Sequence, residues 1–151
     1  MGRERVEAWI REKGLGWRLI TMPGPTRTVA EAASQLDVDA SLIVKTLVLV
    51  CEGGVYAAII PGDRRLSLDK VARIAGECRL ARRGEVVGLT GYPAGGVPPV
   101  ALPEGVRVIV DSRVASMSVA YGGGGDEMTL LEFKPGELLE TVESIVADVS
   151  E

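Results

Sequence analysis

No stretch limits the fold more tightly than SLIVKTLVLV, Ser41–Val50, with the turn and strand after it. Leucine and β-branched side chains fill both alternating sets of positions, which suits a buried strand. Glu52, Gly53 and Gly54 supply a hairpin turn, and VYAAIIP is the returning strand, ended by Pro61 and Gly62. One residue breaks the pattern. Ile43, Lys45, Leu47 and Leu49 share one face of the ribbon, so an ammonium stands among aliphatic side chains. An unpaired buried charge is costly or loses its proton. Lys45 is therefore either a side chain snorkelling off a sheet edge or a group with chemical work to do.

Both element types surround the hairpin. Arg3–Lys13 reads as an amphipathic helix with Val6, Trp9 and Ile10 on one stripe and Gly14 as its stop, and Trp17–Ile20 as a short strand. Thr28 and Glu31 form a capping box for a helix that runs to about Leu36, and DVDAS is a turn or helical stub leading into the lysine strand. Ser67 is the expected N-cap of a helix over Leu68–Ala75. The segment VVGLTGYPAGGVPPVAL holds four glycines and three prolines in 17 residues, so it is expected as an irregular connector, either mobile or rigidly shaped. VRVIVDS, MSVAYG and EMTLLEF read as strands, and Pro135 opens a terminal helix to about Ala147. Gly122–Gly125 is expected as a flexible hairpin connection; it lacks the spacing of a phosphate-cradling loop. Strands outnumber helices without regular alternation. That predicts an α+β fold, a mixed and largely antiparallel sheet or partly closed barrel with flanking helices.

At 151 residues the chain is sized for one core and one domain, 1–151. Its apolar runs are strand-sized and its start, MGRERVEAW, is charged, which predicts a soluble, cytoplasmic protein without a membrane partner. Cys51 and Cys78 lie 27 positions apart with no CxxC, indicating neither a zinc site nor a disulfide framework; both are expected as small apolar fillers. Histidine is absent. Its absence removes Ser-His-Asp and Cys-His nucleophile systems and imidazole-based metal sites, leaving lysine, carboxylates, hydroxyls, backbone amides or the substrate to do any chemistry. No metal or other cofactor is expected.

The net charge of −4 conceals an asymmetry. Residues 63–83 hold seven basic and three acidic side chains, whereas residues 126–151 hold one basic and eight acidic. The first stretch is either a solvated helix face or a patch that meets phosphate.

Taken in order, PTRTVAEAA, IVKTLVLV with its returning strand, PGDRRLSLDKVA, LTGYPAGGVPPVAL, VIVDS and LLEFKPGELLETV resemble the YbaK and prolyl-tRNA synthetase-associated domain family of aminoacyl-tRNA deacylases, over about residues 15–146. The resemblance implies a mixed-sheet α+β fold with a crevice for the 3′ end of a tRNA and hydrolysis of mischarged tRNA without a metal. A small amino acid, alanine or cysteine on tRNA-Pro, is the first substrate implied. It places the family's deacylation lysine at Lys45 and its Gly-x-x-x-Pro loop at Gly95, Gly96, Val97, Pro98 and Pro99, where backbone amides position the terminal adenosine and the ester. Thr90, Gly91 and Tyr92 precede that loop, and the family's serine-like position maps to Ser118. The family often has GxRG after the following strand; this chain has YGGGGD, which puts a basic contact there in doubt.

Several roles stay open at the level of sequence. Lys45 stabilises an oxyanion, holds a phosphate, or acts as a base after losing its proton. Tyr92 either stacks on adenine or packs inside its loop. Asp111 either caps the next turn or faces the crevice. Arg64, Arg65 and Arg73 are expected to contact the acceptor stem of tRNA, and an aminoacyl-tRNA synthetase is a further candidate partner. The alternative to a deacylase is a non-catalytic module of the same fold that binds tRNA ends or a protein.

Overall fold

The computed structural model describes residues 2–26 and 28–151; Arg27, inside the PTRT motif, lies outside them. Helix α1 (Gly2–Glu12), strand β1 (Arg18–Thr21) and helix α2 (Val29–Leu36) precede a 3-10 turn at Ala40–Leu42. Strands β2 (Val44–Cys51) and β3 (Gly54–Pro61) form the expected hairpin, followed by α3 (Leu68–Ala75), β4 (Cys78–Leu80) and α4 (Arg83–Thr90). The rest is β5 (Arg107–Asp111), α5 (Ser112–Ala115), β6 (Ala120–Gly123), β7 (Thr129–Phe133), α6 (Pro135–Thr141) and β8 (Ser144–Ala147). Local signals behave as the sequence suggests. The Thr28 and Ser67 side chains accept from the Glu31 and Lys70 amides, and Pro135 stands in the first turn of α6. Among the described residues no helix is long and apolar enough to cross a membrane.

The fold is α+β with two sheets. One is antiparallel, ordered β1-β7-β6; the other is mixed, ordered β4-β2-β3-β5-β8, with β3, β5 and β8 parallel. Among the described residues one parallel bridge, between Ile43 and Tyr121, joins them, so the barrel alternative is replaced by two adjoining sheets. Between them lies the largest core, built from Val6, Ile10, Trp17, Val44, Val48, Ile59, Val110, Leu131 and Phe133. On the outer face of the mixed sheet, Leu49, Ile60 and Ile109 pack under Val71 and Ala75 of α3. Ile59 and Ile60 are adjacent, point to opposite faces and are both fully buried, which confirms the two-sided character of the hairpin. Burying each such side chain contributes about 1.5–3 kcal/mol.

Four expectations are corrected. Cys51 and Cys78 are joined in a disulfide, because antiparallel pairing of β2 with β4 sets them directly opposite, Cα to Cα 4.0 Å. Neither β4 nor α4 was expected, and the start of the glycine- and proline-rich segment, Val86–Thr90, is helical: Gly91, at φ 81°, ends α4 as its C-cap. The terminal helix stops at Thr141, and Ser144–Ala147 is a strand beside β5. The glycine run is not a flexible connection. Gly122 and Gly123 belong to β6, while Gly124 and Gly125 are buried in close backbone contacts.

Candidate active site

Lys45 lies on the α3 side of β2, opposite Ile60. The turn after β3 crosses there. Lys45 is half-buried, and its Nζ donates to the Arg64 carbonyl at 3.2 Å. The ammonium among aliphatic residues is thus neither unpaired nor fully withdrawn from water, and its stem supplies apolar contact to the sheet. On the opposite face, Val44 reaches the inter-sheet core. Its Cγ2 would stand 3.1 Å from a Cβ at Gly122, and Pro99 Cδ 3.8 Å from the same point. Strand β6 therefore links the lysine strand to the Gly95–Pro99 loop.

That loop is held by backbone against backbone. Gly125 N–H donates to the Gly96 carbonyl at 2.9 Å, and the Val97 carbonyl lies against Gly123. A Cβ on Gly96 would meet the Asp126 backbone at 2.6 Å. Glycines on both sides let two main chains approach where side chains would separate them. The Gly96 N–H is engaged by the Pro93 carbonyl at 2.9 Å, so it is not free to hold an ester, contrary to the expectation from sequence. The prolines have no N–H at all. Among the described residues, the Gly95 and Val97 amides are the donors of this loop without a backbone acceptor. Gly95 is exposed, while Val97, Pro98 and Pro99 are buried.

The residues before the loop act inward. Thr90 is fully buried and its hydroxyl donates to the Val86 carbonyl and accepts from the Tyr92 amide. Tyr92 is also fully buried, its hydroxyl donates to the Ala101 carbonyl at 2.6 Å, and Arg5 sits over its ring. Burial pushes the phenol above its ordinary pKa, which keeps the donating proton in place. Stacking of Tyr92 on adenine is excluded in this arrangement. Asp111 caps α5 through the Arg113 amide, its other oxygen accepts from Val149 N, and it does not face the crevice. Ser118 is exposed in the bend between α5 and β6 and lines neither of the two cavities beside the Gly95–Pro99 loop.

One cavity, of about 490 Å³, opens between the segment before α2 and the loop, lined by Pro25, Thr26, Arg83, Gly95 and Glu127. The Thr26 amide donates to the Glu127 carbonyl, and Arg83 Nη2 approaches Glu127 Oε1 at 3.8 Å. A larger cavity, about 570 Å³, lies at the other end of the loop between Trp9, Leu102, Val108 and Ile145; of the expected site residues only Pro99 reaches it. The first is the better candidate for a polar substrate end, because an unengaged amide and both charge signs converge on it. Sequence reasoning missed Pro25, Thr26 and Glu127. No spacing announces them, since Arg83 and Glu127 meet only through the packing of the loop on the glycine run.

Part of the basic stretch is neutralised. Lys70 pairs with Asp148 at 3.0 Å and Arg79 with Glu85 at 2.5 Å; Arg79, followed by the Arg82 amide, holds the Glu85 carboxyl down at about 2. Arg65 and Arg73 are exposed and, among the described residues, unpaired, whereas Arg64 is half-buried with Nε donating to Ser150 Oγ at 3.0 Å. A positive strip thus survives beside Lys45 on the turn after β3 and on α3.

Three comparisons bear on identity. Residues 23–141 match the family described as aminoacyl-tRNA editing domain. The chain is 34% identical to a proline–tRNA ligase of Pelotomaculum thermopropionicum over 82% of its length and 22% of that protein. It is 35% identical to the proline–tRNA ligase of Leuconostoc citreum over 67% of its length and 18% of that protein. The chain thus spans about a fifth of the curated relatives it matches. Among solved structures, a hypothetical protein superposes with a TM-score of 0.93 at 56% identity, covering 97% of this chain and 99% of that one. Another, described as a trans-editing enzyme for prolyl tRNA synthetase in an assignment its own description leaves provisional, superposes at 0.91 with 34% identity, covering 99% and 97%. The match over residues 23–141 and the shared fold identify this chain as a member of the aminoacyl-tRNA editing domain family.

Proposed function

We propose that the protein removes a small amino acid, alanine or cysteine in the first instance, from mischarged tRNA-Pro by hydrolysing the aminoacyl ester. The observation that carries this reading is the half-buried lysine fixed by the Arg64 carbonyl; a backbone-braced loop, whose exposed Gly95 has an amide without a backbone acceptor at a polar cavity that Lys45 does not line, supports it separately. Water attacks the acyl carbon and the carbonyl oxygen takes up negative charge. The carbon–oxygen bond to the ribose then breaks, releasing the amino acid and the tRNA hydroxyl. The ester is already activated and a vicinal ribose hydroxyl stands ready to orient the water, so the protein mainly supplies geometry and charge stabilisation. The Lys45 ammonium, through its remaining protons, stabilises the oxyanion or holds the adjacent phosphate. Gly95 and Val97 N–H are the loop's donors to the ester. Arg65 and Arg73, with Arg64 behind them, contact acceptor-stem phosphates.

Deacylation of tRNA-Pro charged with alanine, cysteine, serine or proline tests the reading, followed as loss of ester with and without EDTA. Hydrolysis of a small mischarged residue, sparing of prolyl-tRNA and indifference to EDTA are expected. Tight tRNA binding with no ester loss would leave only a binding module.

A further inference from the structure

We infer that Ser150 is a positioning residue for Lys45, acting through the Arg64 carbonyl; the inference rests on the catalytic role proposed above for the lysine. A lysine has four rotatable bonds, and the acceptor at its tip selects among the available conformers. Here that acceptor is the carbonyl of Arg64, in the turn between β3 and α3. The turn has one internal tie at this point, Arg64 N–H to the Pro61 carbonyl at 3.1 Å. Gly62 N–H donates to the Ile43 carbonyl at 2.7 Å, and among the described residues the remaining backbone ties come from residues 149–151. Arg65 N–H donates to the Glu151 carbonyl at 3.0 Å and Glu151 N–H returns to the Arg65 carbonyl at 2.8 Å, bracketing an antiparallel bridge between Leu66 and Ser150. Ser67 N–H donates to the Val149 carbonyl at 2.8 Å.

Ser150 is the hub of this clamp. It is fully buried, and its Oγ accepts from Arg64 Nε at 3.0 Å and from Arg113 Nη1 at 3.3 Å. Its carbonyl accepts from Lys70 Nζ at 2.8 Å. Arg113 and Lys70 are themselves anchored on Asp148, and Arg113 also on the fully buried Asp111. One hydroxyl thus ties the residue that receives the Lys45 ammonium to a network rooted on α3, α5 and the β5 end. Displacement of a reacting group by about 1 Å costs up to ~10²-fold in rate, so a loosened Arg64 carbonyl would be felt at the ester.

The test is Ser150→Ala, read in two ways. Single-turnover deacylation of alanyl-tRNA-Pro should lose about tenfold in rate at saturating protein, with half-saturation and thermal midpoint close to wild type. Acetylation of Lys45 by acetic anhydride, measured by peptide mass spectrometry against the exposed Lys134 as internal reference, should rise about two- to tenfold, the range that one ordinary hydrogen bond spans. A purely structural role for Ser150 leaves that ratio unchanged. Wild-type rate with an unchanged ratio overturns the inference, as does a loss confined to half-saturation with the ratio unchanged, which would put Ser150 behind RNA contact only. Should Ser150→Ala not fold, Arg64→Met cuts the same tie from the other end and is judged by the same ratio. Lys45→Ala, run alongside, separates the two claims. If it deacylates at the wild-type rate the catalytic role proposed for the lysine falls, while the labelling ratio still decides the positioning.

Discussion

The Lys45 wall, on the α3 face of β2, and the wall formed by the Gly95–Pro99 loop are held by different physics. At the Lys45 wall, side chains hold the geometry: the lysine ends on the Arg64 carbonyl, and Arg64, Lys70 and Arg113 converge on Ser150 and Asp148. At the loop wall, hardly any side chain takes part. Gly96 and Gly123–Gly125 bring main chains together, and the ion pair at this wall, Arg83–Glu127, is a long one. Interactions of the first kind respond to protonation and to loss of single polar atoms; those of the second respond to added volume. The Lys45 wall should therefore fail in rate or pH response while the protein stays folded, and the loop wall should fail by steric displacement.

Lys45→Ala puts this contrast under the heaviest load. Loss of a preorganised charge should slow deacylation by at least ~10²-fold, with circular dichroism and thermal midpoint near wild type; retained activity would make the lysine a mere strand residue. Lys45→Arg keeps charge but cannot act as a base, so substantial rescue identifies an electrostatic role. Next comes Gly96→Ala. Its Cβ meets the Asp126 backbone at 2.6 Å, and overpacking of this sort costs about 1–3 kcal/mol, so denaturant unfolding should show lost stability together with lost activity. An unperturbed, active variant would show that the loop yields to added volume and is not rigid.

Reducing the disulfide between Cys51 and Cys78 probes the far end of the lysine strand. The bond closes a loop over 27 positions, and links of this size contribute about 2–4 kcal/mol. A drop in thermal midpoint with dithiothreitol is expected, absent in Cys51→Ala. Charge reversal in Arg65→Glu with Arg73→Glu should leave the fold intact and flatten the dependence of tRNA affinity on salt; an unchanged slope would remove these residues from the RNA contact.

The smallest effect is electrostatic and confined to the lysine wall. Arg113, and after it Lys70, hold the Asp148 carboxyl well below the usual carboxylate range. A carboxylate depressed on folding contributes stability that is fully present above its unfolded pKa, ordinarily 3.8 for this group, and that is lost as pH falls toward the folded value. Asp148→Asn should accordingly lower the thermal midpoint slightly at neutrality and shallow its fall below that pH, so that the two proteins converge in acid. Salt should shrink the difference, because the pair is exposed. An acid limb identical in both proteins would show that Asp148 is not a member of the clamp in solution.

Legibility followed the range of the interaction. Caps at Thr28 and Ser67, the hairpin at Glu52–Gly54 and Pro135 at the start of α6 are written in a few neighbouring residues, and each appears where its signal stands. Lys45 was legible as an anomaly because alternation on a strand places its face, though not its partner. The donors of the loop were not legible. Gly96 and Gly95 look alike in sequence, yet one amide is engaged by Pro93 and the other, in an exposed residue, has no backbone acceptor among the described residues. Tyr92 likewise resembles a ligand-facing aromatic until Ala101 takes its hydroxyl.

Periodicity and residue type are enough to dictate the two-sided hairpin, the strand-rich α+β composition, the misplaced lysine and a chemistry without imidazole. What each of them meets was settled by tertiary packing. Parallel pairing turned Ser144–Ala147 from the end of a helix into a strand beside β5, the opposition of β2 and β4 turned two apolar fillers into a disulfide, and close backbone packing turned a glycine run into the seat of the loop. Each of those outcomes rests on contacts between segments tens of residues apart, whose free energy exists only once the intervening chain has folded.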